Sequence, residues 1–242
     1  MATSVGTGSG TRLPFRRLDA VLHITHWKAG SSWIRRILRR AAPDRFLLPK
    51  DLRGGRVGSE PFPAALPPAC VYSCYATREQ VERADLPPHR SFVVVRDLRD
   101  TLCSAYYSFR DTHRPNPLGA PIRARLRELD KEDGILYLMD EFLPQCAAIQ
   151  ESWRGEPVIH YEDLLEDDLA ILKRVLLDEC RLEVSEASLE RAIRSTRFWR
   201  QTGRRPGEEA AAHLRKGIAG DWRNHFTPRI SAEFEKRFGA TV

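Results

Sequence analysis

Four strand-length apolar runs, Ala20–Thr25, Ala69–Ser73, Ser91–Val95 and Pro157–His160, alternate with segments long enough to be helices. That alternation leaves few folds open, because parallel strands need long crossover connections and helices supply them while covering both faces of a sheet. The run Phe92-Val93-Val94-Val95 has no polar alternation, which is the pattern of a strand buried on both faces and central in the sheet. Helices are expected over Ser31–Ala41, Arg78–Arg83, Leu98–Arg110, Glu132–Ser152, Leu164–Cys180, Ser185–Ser195 and Ile230–Phe238. In the fifth, Leu165, Leu169, Leu172 and Leu176 recur at helical spacing and read as a core-facing stripe. Pro49–Pro68 and Asp111–Ile122, rich in Pro, Gly and basic residues, read as long loops of the kind that shape a substrate entrance. The expectation is an α/β chain: a three-layer parallel sheet of four to five strands with helices on both faces. With 242 residues and no break in composition, one domain is expected from residue 19 onward, preceded by a flexible leader over residues 1–18.

Between the first run and the first helix lies His26-Trp27-Lys28-Ala29-Gly30-Ser31-Ser32-Trp33. Gly30 lets the backbone turn close to a ligand, Ser31 and Ser32 bring hydroxyls and N–H groups to a helix start, and Lys28 adds positive charge, so the segment reads as an anion-binding loop. It is not the nucleotide-triphosphatase loop, since Lys28 precedes a single glycine instead of following a pair. Arg96 falls at the carboxyl end of the buried strand, where open α/β sheets bind ligands, and Ser104 lies eight residues on in the next helix. Tyr161 sits at the same rim after the fourth run. Arg215-Lys216-Gly217-Ile218-Ala219-Gly220-Asp221-Trp222 places a basic pair before a short loop bracketed by glycines, suited to close over anionic oxygens by side chain and amide.

The net charge of +6 is spread over residues of both signs, which suits an anionic ligand without demanding nucleic acid. No zinc-finger spacing or basic repeat interleaved with aromatics is present, and no nucleic-acid partner is expected. Cys70, Cys74, Cys103, Cys146 and Cys180 are odd in number, widely spaced and mostly in apolar context, as reduced thiols of a cytoplasmic protein would be. No stretch has the length of a membrane span, and the first ten residues lack a signal-peptide core, so no membrane partner is expected.

These motifs, in this order, resemble those of the sulfotransferases that use 3′-phosphoadenosine 5′-phosphosulfate. Lys-x-Gly-Ser-Ser-Trp at 28–33 is similar to the family's 5′-phosphosulfate loop, usually Pro-Lys-Ser-Gly-Thr-Thr-Trp. Val-Arg-Asp-Leu-Arg-Asp with Ser104 keeps the eight-residue spacing of the 3′-phosphate strand and helix, and residues 215–222 resemble the terminal Arg-Lys-Gly-x-x-Gly-Asp-Trp block. The resemblance implies a P-loop-like sulfotransferase fold and sulfuryl transfer to a hydroxyl or amine, with a small-molecule acceptor. It implies that Lys28, Ala29, Gly30, Ser31 and Ser32 hold the 5′-phosphosulfate and that Arg96, Ser104, Arg215, Lys216 and Gly217 hold the 3′-phosphate. Trp33, Tyr161, Thr196 and Phe198 match the adenine-contacting positions, the last two through Ser195-Thr196-Arg197-Phe198. Lys28 is the expected electrostatic catalyst at the bridging oxygen. Phosphates held by Arg, Lys and amides need no metal.

One element of the pattern is missing. Counting twenty-two residues back from Arg96, where cytosolic members usually carry a His base, lands on Cys74. His26, two residues before Lys28, is the first replacement, followed by His113 and by Glu79. Trp27 also replaces the usual Pro before the Lys. The family's C-terminal dimer motif falls on Arg223, Thr227, Pro228 and Ala232, two of which depart from it, so the oligomeric state stays open. The missing His also leaves open a catalytically silent nucleotide-binding or interaction module, and the fold class leaves open a phosphoryl transferase, which would prefer ATP and require magnesium.

Overall fold

A computed structural model describes residues 18–47, 62–63, 65–112 and 119–239. Residues 1–17 of the expected 1–18 leader, most of the 49–68 loop and His113 lie outside the described residues.

Five parallel strands form one sheet in the order β2-β3-β1-β4-β5: β1 Ala20–Thr25, β2 Phe46–Leu47, β3 Val71–Tyr75, β4 His89–Val95 and β5 Val158–His160. β1 is the middle strand, buried over all six residues, with Thr25 opposite Tyr75 on one side and Val94 on the other. From β1 the chain goes to the edge strand β2, returns to β3 beside β1, then crosses to β4 on the opposite side. The order therefore reverses about β1, and a crevice opens beyond the carboxyl ends of the central strands. β4 is buried from Phe92 to Val95, as its unbroken apolar run requires.

The helices are α1 Ser31–Ala41, α2 Arg78–Glu82, α3 Leu98–Tyr107, α4 Gly119–Glu128, α5 Lys131–Glu141, α6 Leu143–Ser152, α7 Tyr161–Lys173, α8 Glu186–Thr196, α9 Phe198–Thr202 and α10 Pro228–Phe238. α1 buries Ile34, Ile37, Leu38 and Ala41, a helical i, i+3, i+4, i+7 stripe, in a core shared with Val21, Val94, Leu172, Leu176, Leu189 and Ile193. Each fully buried aliphatic side chain contributes roughly 1.5–3 kcal/mol, so this stripe holds the loop before α1 firmly against the sheet. On the opposite face Leu22, Ile24, Tyr72, Val93 and Val95 pack with Val81 of α2, Ile149 of α6 and Trp153, so the expected helices on both faces are present, while Leu98, Leu102, Tyr106, Leu138, Phe142, Ile230 and Phe234 form a further core among the helices.

Several boundaries differ from the sequence expectation. β3 begins two residues later than the apolar run, because Ala69 has φ 59° and ends the preceding turn. The expected helix over 132–152 is two, broken at Phe142 (φ −127°) just before Pro144. The Gly- and Pro-containing stretch after Asp111 holds α4, whose Leu126 is fully buried. Helix α7 continues through a wide turn at Arg174–Glu179 and is kinked at Asp167, so Leu172 and Leu176 are buried while Leu165 turns toward the cleft described below. In the region of the dimer motif, Thr227 caps α10 by accepting a hydrogen bond from the Ile230 N–H at 3.2 Å. No helix among the described residues is long and apolar enough to cross a membrane.

Candidate active site

Beyond β1 the chain turns through Lys28 (φ 69°) and Gly30 (φ 81°) into α1. No side chain caps this helix and no acidic residue lies in its first turn, so its N–H groups and partial positive charge face the crevice. Gly30 is required sterically as well as conformationally, because a Cβ there would lie 2.7 Å from a ring carbon of Tyr161. Ala29 is fully buried, and only its backbone can serve a ligand.

Arg96, at the end of β4, joins the two loops of the crevice. One guanidinium nitrogen donates to the Lys28 carbonyl at 3.1 Å and the other to the Ile218 carbonyl at 3.4 Å. The same group lies 4.5 Å above the Tyr161 ring and 3.7 Å from Asp100, while its Nε is buried without a partner. Asp100 in turn accepts from the backbone N–H groups of Gly220 (2.6 Å) and Trp222 (3.0 Å), fixing the Arg215–Gly220 loop over the start of α3.

Within that loop Lys216 donates to Asp221 at 2.6 Å, and Arg215 pairs with both Asp221 and Glu209. Asn224 and His225 complete the shell around the Asp221 carboxylate. Burial alone would raise the Asp221 carboxyl, but the hydrogen bonds from Lys216 and Arg215 outweigh it and hold the group well below the usual carboxylate range. Gly217 (φ 66°) passes directly over Phe198, where a Cβ would approach a ring carbon to 2.6 Å.

Lys28, Gly30, Ser31, Ser32, Trp33, Arg96, Ser104, Tyr161, Thr196, Phe198, Arg215, Lys216 and Gly217 all line one cleft of about 220 Å³. The structure thus brings together the groups singled out from five separated sequence segments, apart from Ala29 and His26. At one end the Trp33 indole donates to the Thr196 hydroxyl at 3.2 Å and meets Tyr161 edge-on. At the other end burial, with the nearby Arg96 cation, lowers Lys28 to about 8. Among the described residues no carboxylate forms an ion pair with Lys28, so an incoming anion meets no competing carboxylate on it. Arg36, which is not among the residues singled out from the sequence, also lines the cleft.

The candidate bases fare differently. His26 is fully buried behind the loop. Its Nε2 accepts from the Arg96 N–H at 3.1 Å, so Nδ1 carries the proton and donates to the Trp27 carbonyl at 2.9 Å. Burial lowers it to about 4, and both nitrogens are committed to backbone, so it braces the wall of the cleft instead of facing a reacting group. Glu79 is exposed on α2, paired with Arg83 at 2.6 Å, and is not part of the cleft lining. Cys74 is buried against the His23 carbonyl and burial pushes its thiol up to about 12. The residue that β3 presents to the cleft is its neighbour Tyr75.

Residues 87–242, well over half the chain, match the Sulfotransferase domain family. The chain belongs to the sulfotransferase family. The match starts after the Lys28 loop, which joins the matched residues through the fold. Sulfotransferase 2A1 of Rattus norvegicus is 26% identical over 159 residues, covering 60% of this chain and 54% of that protein. The 3-beta-hydroxysteroid sulfotransferase of Cavia porcellus is 26% identical over 165 residues, covering 59% and 52%. The chain thus spans about half the length of the curated relatives it matches. Among solved structures, mouse sulfotransferase SULT7A1 complexed with PAP superimposes with a TM-score of 0.60 at 19% identity, over 92% of this chain and 83% of that one. Retinol dehydratase in complex with androsterone and inactive cofactor PAP gives 0.53 at 16% identity, over 92% and 80%. These likenesses establish the fold: a parallel sheet wrapped by helices, as the alternation of runs implied.

Proposed function

We propose that this chain transfers a sulfuryl group from 3′-phosphoadenosine 5′-phosphosulfate to a hydroxyl or amine of a small-molecule acceptor. The observation that carries the reading is the convergence of Lys28 and the open start of α1 with Arg96, Arg215 and Lys216 on one cleft, with aromatic side chains between them. The donor fits this cleft on three counts: unpaired helix amides, two glycines whose Cβ atoms would collide with aromatic rings, and a buried Arg96 Nε without a partner.

In this reading Lys28, Ser31 and Ser32, with the Ala29 and Gly30 backbone, hold the 5′-phosphosulfate. Arg96, Ser104, Arg215, Lys216 and the Gly217 amide hold the 3′-phosphate. Trp33, Tyr161, Thr196 and Phe198 enclose the adenine. Bound there, the donor supplies an activated sulfuryl group whose bridging oxygen gains negative charge as the S–O bond lengthens. Lys28 sets an ammonium in a dry wall where that charge grows, and such preorganised charge is worth several kcal/mol in a transition state. Asp221 and Glu209 keep Arg215 and Lys216 extended toward the cleft, so that little side-chain ordering remains for the ligand to impose. Five buried, unpaired cysteines support a reducing, cytoplasmic setting. A single folded unit from residue 19 onward is part of the same proposal.

The test is formation of adenosine 3′,5′-bisphosphate from the phosphosulfate in the presence of a panel of simple phenols, alcohols and amines, without magnesium. Turnover that is lost in Lys28→Met supports the reading. A chain that binds the phosphosulfate without turnover on any acceptor, water included, is a silent module, and a magnesium-dependent reaction with ATP is phosphoryl transfer.

A further inference from the structure

The cleft holds one ionisable hydroxyl whose surroundings the reading above leaves unused. The Tyr75 phenol oxygen lies 3.0 Å from Ser31 Oγ and 3.2 Å from Arg35 Nη1. Arg35 is itself fixed: its Nε donates to Ser73 Oγ at 2.9 Å, its Nη2 to the Ser73 carbonyl at 3.4 Å, and its guanidinium lies 4.7 Å over the Tyr75 ring. Buried His23 meets the same Ser73 hydroxyl at 2.8 Å, and the Trp27 ring stacks on Tyr75 at 4.5 Å. Every rotatable element of Tyr75 is therefore held, with its oxygen at the mouth of the Lys28 loop.

The hydrogen-bond inventory allows a chain of two hydroxyls to pass a proton. Arg35 only donates, so it occupies one acceptor position of the phenol oxygen. Either hydroxyl can donate in the Tyr75–Ser31 contact; when the phenol donates to Ser31 Oγ, the Ser31 proton is left to point into the cleft. One acceptor position on the phenol oxygen remains for a ligand.

We propose that Tyr75 is a catalytic residue that passes the acceptor's proton through Ser31 to the leaving phosphate, with Arg35 as its positioning residue. This rests on the sulfuryl-transfer reading. As the acceptor oxygen or nitrogen forms its bond to sulfur, its proton moves to the Tyr75 oxygen, the Tyr75 proton moves to Ser31 Oγ, and the Ser31 proton moves to the phosphate oxygen. That oxygen keeps the electron pair of the broken S–O bond. Neither hydroxyl carries a charge before or after the step, so no strong base is needed, and the buried positions of Cys74 and His26 cease to be an obstacle.

Tyr75→Phe removes the hydroxyl and keeps the ring stacked on Trp27. Binding of adenosine 3′,5′-bisphosphate to wild type, followed by thermal shift, reports on the parent reading alone; its failure there refutes that reading, whatever Tyr75 does. With binding present and retained in the variant, turnover with an aliphatic alcohol or water is expected to fall about 10²-fold. Turnover with 4-nitrophenol at mildly alkaline pH, where the acceptor has already lost its proton, should change less than about 3-fold. Equal losses on both acceptor types, or none on either, overturn the relay. A second readout needs no turnover. In protein carrying tyrosine labelled with ¹³C at Cζ, the resonance missing from Tyr75→Phe should move when the bisphosphate engages Ser31. A Tyr75 resonance that stays fixed as the bisphosphate binds removes Tyr75 from the reacting end and overturns the proposal.

Discussion

Arg96 donates to the Lys28 carbonyl at 3.1 Å, so the cation at the end of β4 holds the backbone of the loop that follows β1. The two proposed phosphate sites are therefore one mechanical unit: the guanidinium that would meet one phosphate also sets the curvature of the loop that would meet the other.

Lys28 titrates at about 8, and the lowering comes from burial first and the Arg96 charge second, with buried Cys146 the other titratable neighbour. Its charged form is the one an anion selects. Affinity for adenosine 3′,5′-bisphosphate is expected to weaken as pH rises above 8, with a proton taken up on binding in that range. Calorimetry in buffers of different ionisation enthalpy measures that uptake, and Lys28→Met should abolish it while lowering sulfuryl transfer about 10²–10³-fold.

His26 gives the opposite limb. Its folded value of about 4 lies below the ordinary 6.5, so its contribution to stability is complete above 6.5 and is lost as pH falls toward 4. The full loss amounts to about 3 kcal/mol by the conversion of pKa differences, and buried His23 is lowered in the same direction. Urea unfolding at a series of pH values should show a shallower acid limb for His26→Gln than for wild type. At neutral pH the same variant should be about 1 kcal/mol less stable, since the Arg96 N–H loses its partner.

At Gly217 the φ of 66° and the 2.6 Å approach of a Cβ to Phe198 act together, whereas Gly203 (φ 71°) has open space around it. Gly203→Ala should cost only the left-handed strain, about 1–2 kcal/mol. Gly217→Ala should cost more and should also weaken bisphosphate binding, because the displaced Phe198 ring belongs to the cleft. Thermal melts with and without ligand separate the two effects.

Asp221 holds Lys216, Arg215, Asn224 and His225 at once. Asp221→Asn should destabilise the protein by about 1.5–3 kcal/mol at neutral pH, the usual scale for hydrogen bonds to a charged group. The wild-type carboxyl lies below its unfolded value of 3.8, so its contribution is present above that pH and is lost as pH falls below it. The difference between variant and wild type should accordingly shrink in acid, as unfolding at neutral and strongly acidic pH will measure.

Most of the architecture was legible because it rests on local periodicity. β1 and α1 fall on the expected residues, since an apolar run and an i, i+3, i+4 stripe each specify their own element. The two-residue β2 has too little sequence to carry a pattern and exists through its pairing with β3. The start of α4 reads as loop in the sequence because the Pro and Gly there outweigh the buried Leu126 that anchors the helix. At the site, the charged and glycine positions announced themselves through chemistry that few other settings need. Tyr75 did not, because its place in the cleft lining depends on where β3 starts, and that is fixed by the left-handed turn at Ala69 and by Val71 donating to the Arg45 carbonyl. His26 misled for a related reason: proximity to Lys28 in sequence says nothing about which side of the strand end a ring takes.

Thermal unfolding with adenosine 3′,5′-bisphosphate, set against ATP and AMP and run without magnesium, addresses the convergence of the two cationic loops most directly. At a concentration 100 times its Kd the bisphosphate should raise the Tm by roughly 5–10 °C, and neither ATP nor AMP should match it. No shift at millimolar bisphosphate, or an equal shift with ATP that requires magnesium, would contradict the assignment of Lys28, Arg96 and Arg215 to a single bisphosphate nucleotide.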